Sequence, residues 1–445
     1  MIYFLGINDL ILTPIYLFII YVFIYFIAQK IKEKALRRYF LYGLLLKLGG
    51  AIAFGLIYAF IYQGADTYGY WIASKTIYSS FGDSPVIWIK LVLHFKADSS
   101  TIYYANKIFW YRDPAAYFPS AVAGFFSIFC LNTYTVLAMF FAIISFNGLW
   151  HLYLVFYNLY PQLHKKIAIS IFYIPSLFFW GSGLMKEPLV MAGLGWMVYA
   201  FYFGLIRRER PLKCTILAIT SLIILFSIKP YVIAALFFPM MVWLYILNIK
   251  RFKKVISKVI VSLIALGIQI ALISFFIDII AEKSGFDLRN SGAIFNKIRE
   301  VNEWIVYSTR EEGSVYNIGT FDGTLSGALS MAPQAIIVAL FRPFLWEVRN
   351  STMLIAALEN TWILFLTLYV FIKTGMMRSF RIISKDPTLI FCFVYCFILA
   401  LIVGLSSGNY GTLVRYKVPL IPFYVMGIYI IQEHARRAQK QNIKI

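Results

Sequence analysis

Long apolar runs alternate with short charged stretches along this chain, and the runs repeatedly reach the roughly 20 residues a helix needs to cross a bilayer. They predict spans at 8–29, 41–62, 134–157, 167–182, 188–206, 213–228, 231–249, 255–279, 353–373, 388–406 and 416–432. The expected fold class is an all-α polytopic membrane protein of 11 crossings. Hydrocarbon cannot satisfy exposed backbone polar groups, so stretches that are not helical must lie outside the bilayer or line a cavity.

Two spacers, 63–133 and 280–352, are too long to be turns, and long connections of this kind tend to carry function. The first holds weakly amphipathic pieces at 70–80 and 86–94, with Lys75 and Lys90 among Trp71, Ile72, Ile87 and Trp88, which suit helices lying in the interface. Residues 117–131 and 328–345 are apolar but short for a crossing, so both are expected to be re-entrant or surface helices. The chain reads as a single membrane domain, 1–445, with two long external loops and no internal repeat.

Charge orients this arrangement. Six stretches, 30–38, 164–166, 207–213, 250–258, 373–386 and 433–445, carry 24 of the 41 Lys and Arg residues but only four acids. They hold nearly all of the formal net charge of +21. That bias places them in the cytoplasm, with the C-terminus inside and the N-terminus outside. The high isoelectric point is then topological and gives no reason to expect nucleic acid, which needs basic residues gathered on a folded polar domain. The first span lacks a basic leader and precedes a basic run, so it reads as a retained helix and not as a cleaved signal. Cys130, Cys214, Cys392 and Cys396 lie in apolar segments, where a thiol packs as a small hydrophobe, and the four histidines show no paired spacing for zinc.

With both spacers outside, five polar clusters fall on the outer side at span ends and are expected to converge on one cavity. Asp66 follows the second span, in Gly64-Ala65-Asp66-Thr67-Tyr68-Gly69-Tyr70-Trp71. A carboxylate at the mouth of a membrane helix is costly to desolvate and is a functional candidate, or else an interfacial acid that stops a helix. Lys186 and Glu187 join spans four and five, and also suit an ion pair at a helix end. Lys229 precedes Pro230. Arg342, Trp346, Glu347 and Arg349 lie in FRPFLWEVR, and could equally anchor a surface helix to acidic headgroups. Asn409, Arg415 and Lys417 lie in GNYGTLVRYKVPLIP, on the side where the orientation rule disfavours cations, so an anionic partner such as phosphate explains them best. Moving a sugar from a lipid phosphate to a hydroxyl needs a base at the hydroxyl and cations at the departing phosphate, and this set supplies both. Tyr70, Trp180 and Trp346 would stack on sugar faces or line a lipid groove.

An external Asp66 followed by Tyr70, a long first loop with interfacial helices, the stretch from Tyr117-Phe118-Pro119 onward, and the late RYKVPLIP together resemble the GT-C glycosyltransferases, integral membrane enzymes that use polyprenyl-phosphate-linked sugars. The resemblance implies Asp66 as the catalytic base, Arg415 and Lys417 on the donor phosphate, and a glycan, lipid or protein acceptor at a bacterial inner membrane. The chain departs from the family in its additional span before the Asp66 loop, in lacking a second acid beside Asp66, and in having no C-terminal soluble domain. A hard divalent cation wants several oxygen ligands, so no metal or other cofactor is expected. Two rivals share the architecture. An O-antigen or capsule polymerase or ligase would depend on arginines in place of one carboxylate. A lipid-linked glycan transporter or flippase would show paired halves and midplane charges, whereas Lys47 is the one clear base within a span.

Overall fold

A computed structural model describes residues 5–249, 291–310 and 321–442, with 256–257, 267, 314–316 and 319. Among these, nine helices are long and apolar enough to cross a membrane, and the chain is an all-α polytopic membrane protein. Nine of the expected spans coincide with them. The span expected at 255–279 lies almost wholly outside the described residues. The span expected at 167–182 is not one continuous helix: His164–Ala168, a wider turn at Ile169–Tyr173 and Pro175–Phe179 follow one another there.

In chain order the helices are α1 Ile7–Gln29, α2 Lys34–Phe60, α3 Ala65–Asp83, α4 Pro85–Val92, α5 Ile102–Ala105, α6 Pro114–Cys130, α7 Tyr134–Leu159, α8 His164–Ala168, α9 Pro175–Phe179, α10 Lys186–Tyr199, α11 Pro211–Ile228 and α12 Pro230–Ile249. Then come α13 Ser291–Ser308, α14 Leu325–Phe341, α15 Ser351–Thr374, α16 Met376–Lys385, α17 Pro387–Ser406, α18 Tyr410–Tyr416 and α19 Ile421–Asn442. Wider helical turns at Ile169–Tyr173 and Ala200–Ile206 continue α8 and α10. Local chemistry sets several starts. Proline opens α4, α6, α11, α12 and α17, where its missing N–H costs nothing. The side chains of Ser84, Asp113, Asn350, Asp386 and Asn409 accept from first-turn amides.

The chain forms two units, 1–159 with 171–229, and 160–170 with 230–445. In the first, α7 packs on α10 and α2, and α3 packs on α6. A Cβ on Gly195 would lie 2.0 Å from the Gly148 carbonyl oxygen, so this α7–α10 contact requires both backbones bare. The short α6 and the helices before it enclose a small core of Ile77, Leu91, Ile108 and Tyr117, with the Tyr117 hydroxyl donating to Leu91 O at 2.7 Å.

Buried Lys47 explains the broken span. Its ammonium donates to Ser145 Oγ at 3.0 Å, Leu177 O at 2.8 Å and Gly181 O at 2.6 Å. Pro175 cannot continue the preceding helix, and the turn around Gly181 leaves carbonyls that the lysine satisfies. A base inside the span thus serves as an internal cap.

In the second unit α17 packs against α12, α14 and α19. Gly404 permits this, since a Cβ there would sit 2.2 Å from Ala335 O. Segment 160–170 is tied in by Tyr160, whose hydroxyl donates to Asp386 Oδ2 at 2.7 Å, and by Lys166, which donates to Gln432 Oε1. His434 Nε2 meets the same Asp386 oxygen at 2.9 Å.

Candidate functional site

In the first unit the chain enters α3 through three consecutive residues of positive φ, Gln63 at 51°, Gly64 at 115° and Ala65 at 47°. Glycine tolerates that region, but glutamine and alanine in it carry strain, and such backbone persists where the surroundings over-determine it. Asp66 follows at once, exposed in the first turn of α3. Next to it, buried Thr67 shares a 2.8 Å hydrogen bond with the Tyr134 hydroxyl and donates to Leu184 O at 3.0 Å. The first bond ties the start of α3 to α7, and the second ties it to the turn before α10, which carries Lys186 and Glu187. The half-buried Lys186 ammonium lies in electrostatic reach of Asp113, Lys229, Glu187 and Asp66. Asp113 is exposed, and its Oδ1 accepts from the amides of Ala115 and Ala116 at 2.9 and 3.3 Å.

Glu187 and Lys229 belong to the scaffold of this cluster. Their side chains are 2% and 6% exposed and meet at 3.1 Å. A buried pair of this kind is held internally, because neither charge tolerates losing the other. Tyr70 is also interior: buried on α3, it packs on Trp110 with ring centroids 4.9 Å apart. Trp180 is half-buried against Phe54, Tyr58 and Phe179.

The second unit gathers another set. Arg342 Nε donates to both oxygens of Glu347, at 2.8 and 3.1 Å, while its Nη2 donates to the Tyr410 hydroxyl. The guanidinium lies 5.0 and 5.3 Å from the ring centroids of Tyr316 and Tyr410, which stack on each other at 4.8 Å. Burial pushes the Glu347 carboxyl up, but the bonds from Arg342 and from the Phe344 amide outweigh it and hold the group below the ordinary carboxylate range. The Arg342 guanidinium is destabilised by burial and, on balance, raised by Glu347.

Lys417 sits behind this arginine, fully buried, donating to Arg342 O at 3.0 Å and to Asn360 Oδ1 at 2.6 Å. Buried Asn409 accepts from the amides of Gly411 and Thr412 at 2.6 and 3.2 Å and donates to Ser314, which pins 314–316 beside it. Arg415 is half-buried on α18, Arg349 is exposed, and Trp346 is 81% exposed with one face on Phe344.

Asp66, Lys186, Glu187 and Lys229 therefore meet in one unit, and Arg342, Glu347, Asn409 and Lys417 in the other. Sequence reasoning passed over Asp113, although Asp113-Pro114 is an ordinary helix-start signal. It also passed over Thr67, Tyr316, Tyr410 and Asn360, whose importance comes from contacts distant in the chain. Compared with known proteins, the chain matches no family model, no curated protein and no solved structure.

Proposed function

We propose that the protein is a GT-C-like glycosyltransferase that moves a sugar from a polyprenyl-phosphate donor to an acceptor hydroxyl on the outer face of a bacterial inner membrane. The observation that carries the proposal is Asp66, exposed at the end of a strained three-residue entry, with the Lys186 cation in electrostatic reach. A carboxylate and a cation held by one scaffold match the two ends of the reaction. Asp66 takes the proton of the acceptor hydroxyl, whose oxygen forms the bond to the anomeric carbon. The bond from that carbon to the phosphate oxygen breaks, and the polyprenyl phosphate leaves with its charge beside Lys186.

The orientation rule and the resemblance put Lys417 on the phosphate; its buried bonds to Arg342 O and Asn360 favour a positioning role behind Arg342. Arg415 keeps the phosphate role that the resemblance implies. The test is transfer from a labelled polyprenyl-phosphate sugar in membranes. Asp66→Asn keeps the shape without the basicity, and its rate should fall by about 10²- to 10⁴-fold. Unimpaired transfer by that variant sinks the proposal. Lys186→Gln and Arg415→Lys, assayed alongside, should weaken donor use in proportion to their part in holding phosphate.

One observation favours a second reading, an O-antigen or capsule polymerase or ligase, which would depend on arginines: half-buried Arg342 lies 5.0 and 5.3 Å from the ring centroids of the stacked pair Tyr316 and Tyr410. In that case Arg342→Lys would abolish product while Asp66→Asn would not.

A further inference from the structure

The second unit contains a basic cavity that plays no part in the proposed transfer. It has a volume of about 360 Å³ and is lined by Lys166 of α8, Lys373 near the end of α15, and Arg436 and Gln432 of α19, with Tyr369 and Gln439 beside them. Three cations from three separate helices converge there. Lys166 lies over the Tyr429 ring at 5.1 Å, and Lys373 donates to the Tyr369 hydroxyl at 2.9 Å. Glu433, the acid that Lys166 feels, is engaged by Arg437 at 3.0 Å. Like charges brought together repel one another, and an anion shared among them would relieve that repulsion.

The surroundings say which anion. Leu368 and Ile372, on α15 next to Tyr369 and Lys373, are 46% and 79% exposed. The following helix, α16, is short and amphipathic. Met376, Met377 and Phe380 are exposed on it, and Arg378, Arg381 and Lys385 line a second concavity with Met377 and Ile382. A helix with that division of residues lies in the interface plane, its apolar side in the acyl region and its cations at headgroup level. Gly375, at φ 85°, makes the turn from α15 into α16. An anion bound here therefore has apolar surface beside it for hydrocarbon chains, which free phosphate would not use.

We propose that this cavity binds the phosphate headgroup of an anionic phospholipid, in the leaflet that the charge bias assigns to the cytoplasm. Lys166, Lys373 and Arg436 take the phosphate oxygens, Gln432 and Gln439 supply amide donors, and the acyl chains run along Leu368 and Ile372. Basic pockets between membrane helices on the cytoplasmic side suit headgroups in this way.

The experiment uses the full-length protein, purified and placed in phosphatidylcholine nanodiscs. Phosphatidylglycerol is titrated in, and bound lipid is counted by native mass spectrometry. Lys373→Gln and Arg436→Gln should each weaken phosphatidylglycerol retention about fivefold, and the double variant about 25-fold. Lys165→Gln removes the same charge from an exposed neighbour that does not line the cavity, and should retain lipid as the wild type does. Both variants alter exposed side chains, and their melting temperatures in phosphatidylcholine alone should match the wild type. Equal losses from Lys165→Gln and Lys373→Gln would mean general surface charge and would overturn the site. Thermal stabilisation by inorganic phosphate equal to that by phosphatidylglycerol would overturn the lipid as its occupant.

Discussion

The two units treat their charged clusters in opposite ways. In the first unit's cluster, buried Glu187 and Lys229 pair with each other, while Asp66 stays exposed and Lys186 half-buried; buried Lys47, away from the cluster, is held by carbonyls. In the second, the deepest cation, Lys417, is held by a carbonyl and an amide, and the arginine in front of it is already chelated by Glu347 and lies against a stacked pair of tyrosines. Buried charge that is satisfied internally is scaffold. Charge held near such scaffold and not fully buried is what the proposed transfer calls on, and in the first unit that leaves Asp66 and Lys186, in the second Arg349 and Arg415.

The sharpest way to break this contrast is to remove one member of the buried pair. Glu187→Gln or Lys229→Met alone should cost about 3–5 kcal/mol, because the remaining charge is left buried. The double variant should lose clearly less than the sum. A thermal melt of the purified protein measures all three, and additive losses would show that the two residues act independently. Next in size is Lys417→Met. It strips a donor from two buried acceptors, Arg342 O and Asn360 Oδ1, and should cost about 3 kcal/mol at roughly 1–3 kcal/mol for each orphaned group. Glu359, also buried and in electrostatic reach of Lys417, would then lose that cation, so adding Glu359→Gln should return part of the loss. Stability unchanged by Lys417→Met would mean that the lysine does not support the arginine.

Much of the architecture was legible in the sequence because length and hydropathy are direct consequences of the bilayer. Nine expected spans have helices at the same places, and the short apolar segments expected at 117–131 and 328–345 form the 17-residue helices α6 and α14. The broken span was not legible. Hydropathy reads residues 167–182 as one run, and only the third dimension shows Lys47 arriving from another helix to take the carbonyls released around Pro175 and Gly181. The site was legible in part. Asp66 and Lys186 could be named because charge is conspicuous in an apolar chain. Which charges are scaffold depends on partners 42 residues apart for Glu187 and Lys229, and 57 or 75 residues from Lys417 to Asn360 and Arg342, and no local pattern carries that.

Two smaller effects test the second unit on its own terms. Arg342→Lys keeps the charge but loses the two-pronged contact with Glu347 and the flat face over Tyr316 and Tyr410. It should destabilise by about 1–2 kcal/mol, well below the cost of breaking the buried pair. A larger loss, matching that of Lys229→Met, would erase the distinction between a half-buried chelated arginine and buried scaffold.

The smallest effect is a dependence on acid. The folded carboxyl of Glu347 is held below its unfolded value of about 4.3, so its contribution to stability is fully present above that pH and is lost as pH falls through the lowered folded value. Melting temperature should therefore decline on the acid side of about pH 4. Asp386 has the same sign for the same reason: burial raises its carboxyl, but the bonds from His434 and Tyr160 outweigh that and hold it low. The wild-type curve alone cannot separate the two groups, so the informative quantity is a difference. Subtracting the Glu347→Gln curve from that of the wild type should leave an acid limb that Asp386→Asn does not remove. Arg342→Gln should flatten the same limb, since the arginine is what lowers the carboxyl once burial has been overcome. If the limb survives Glu347→Gln intact, the Arg342 cluster holds no ionised carboxylate, and the contrast between its chelated arginine and Lys186 of the first unit disappears.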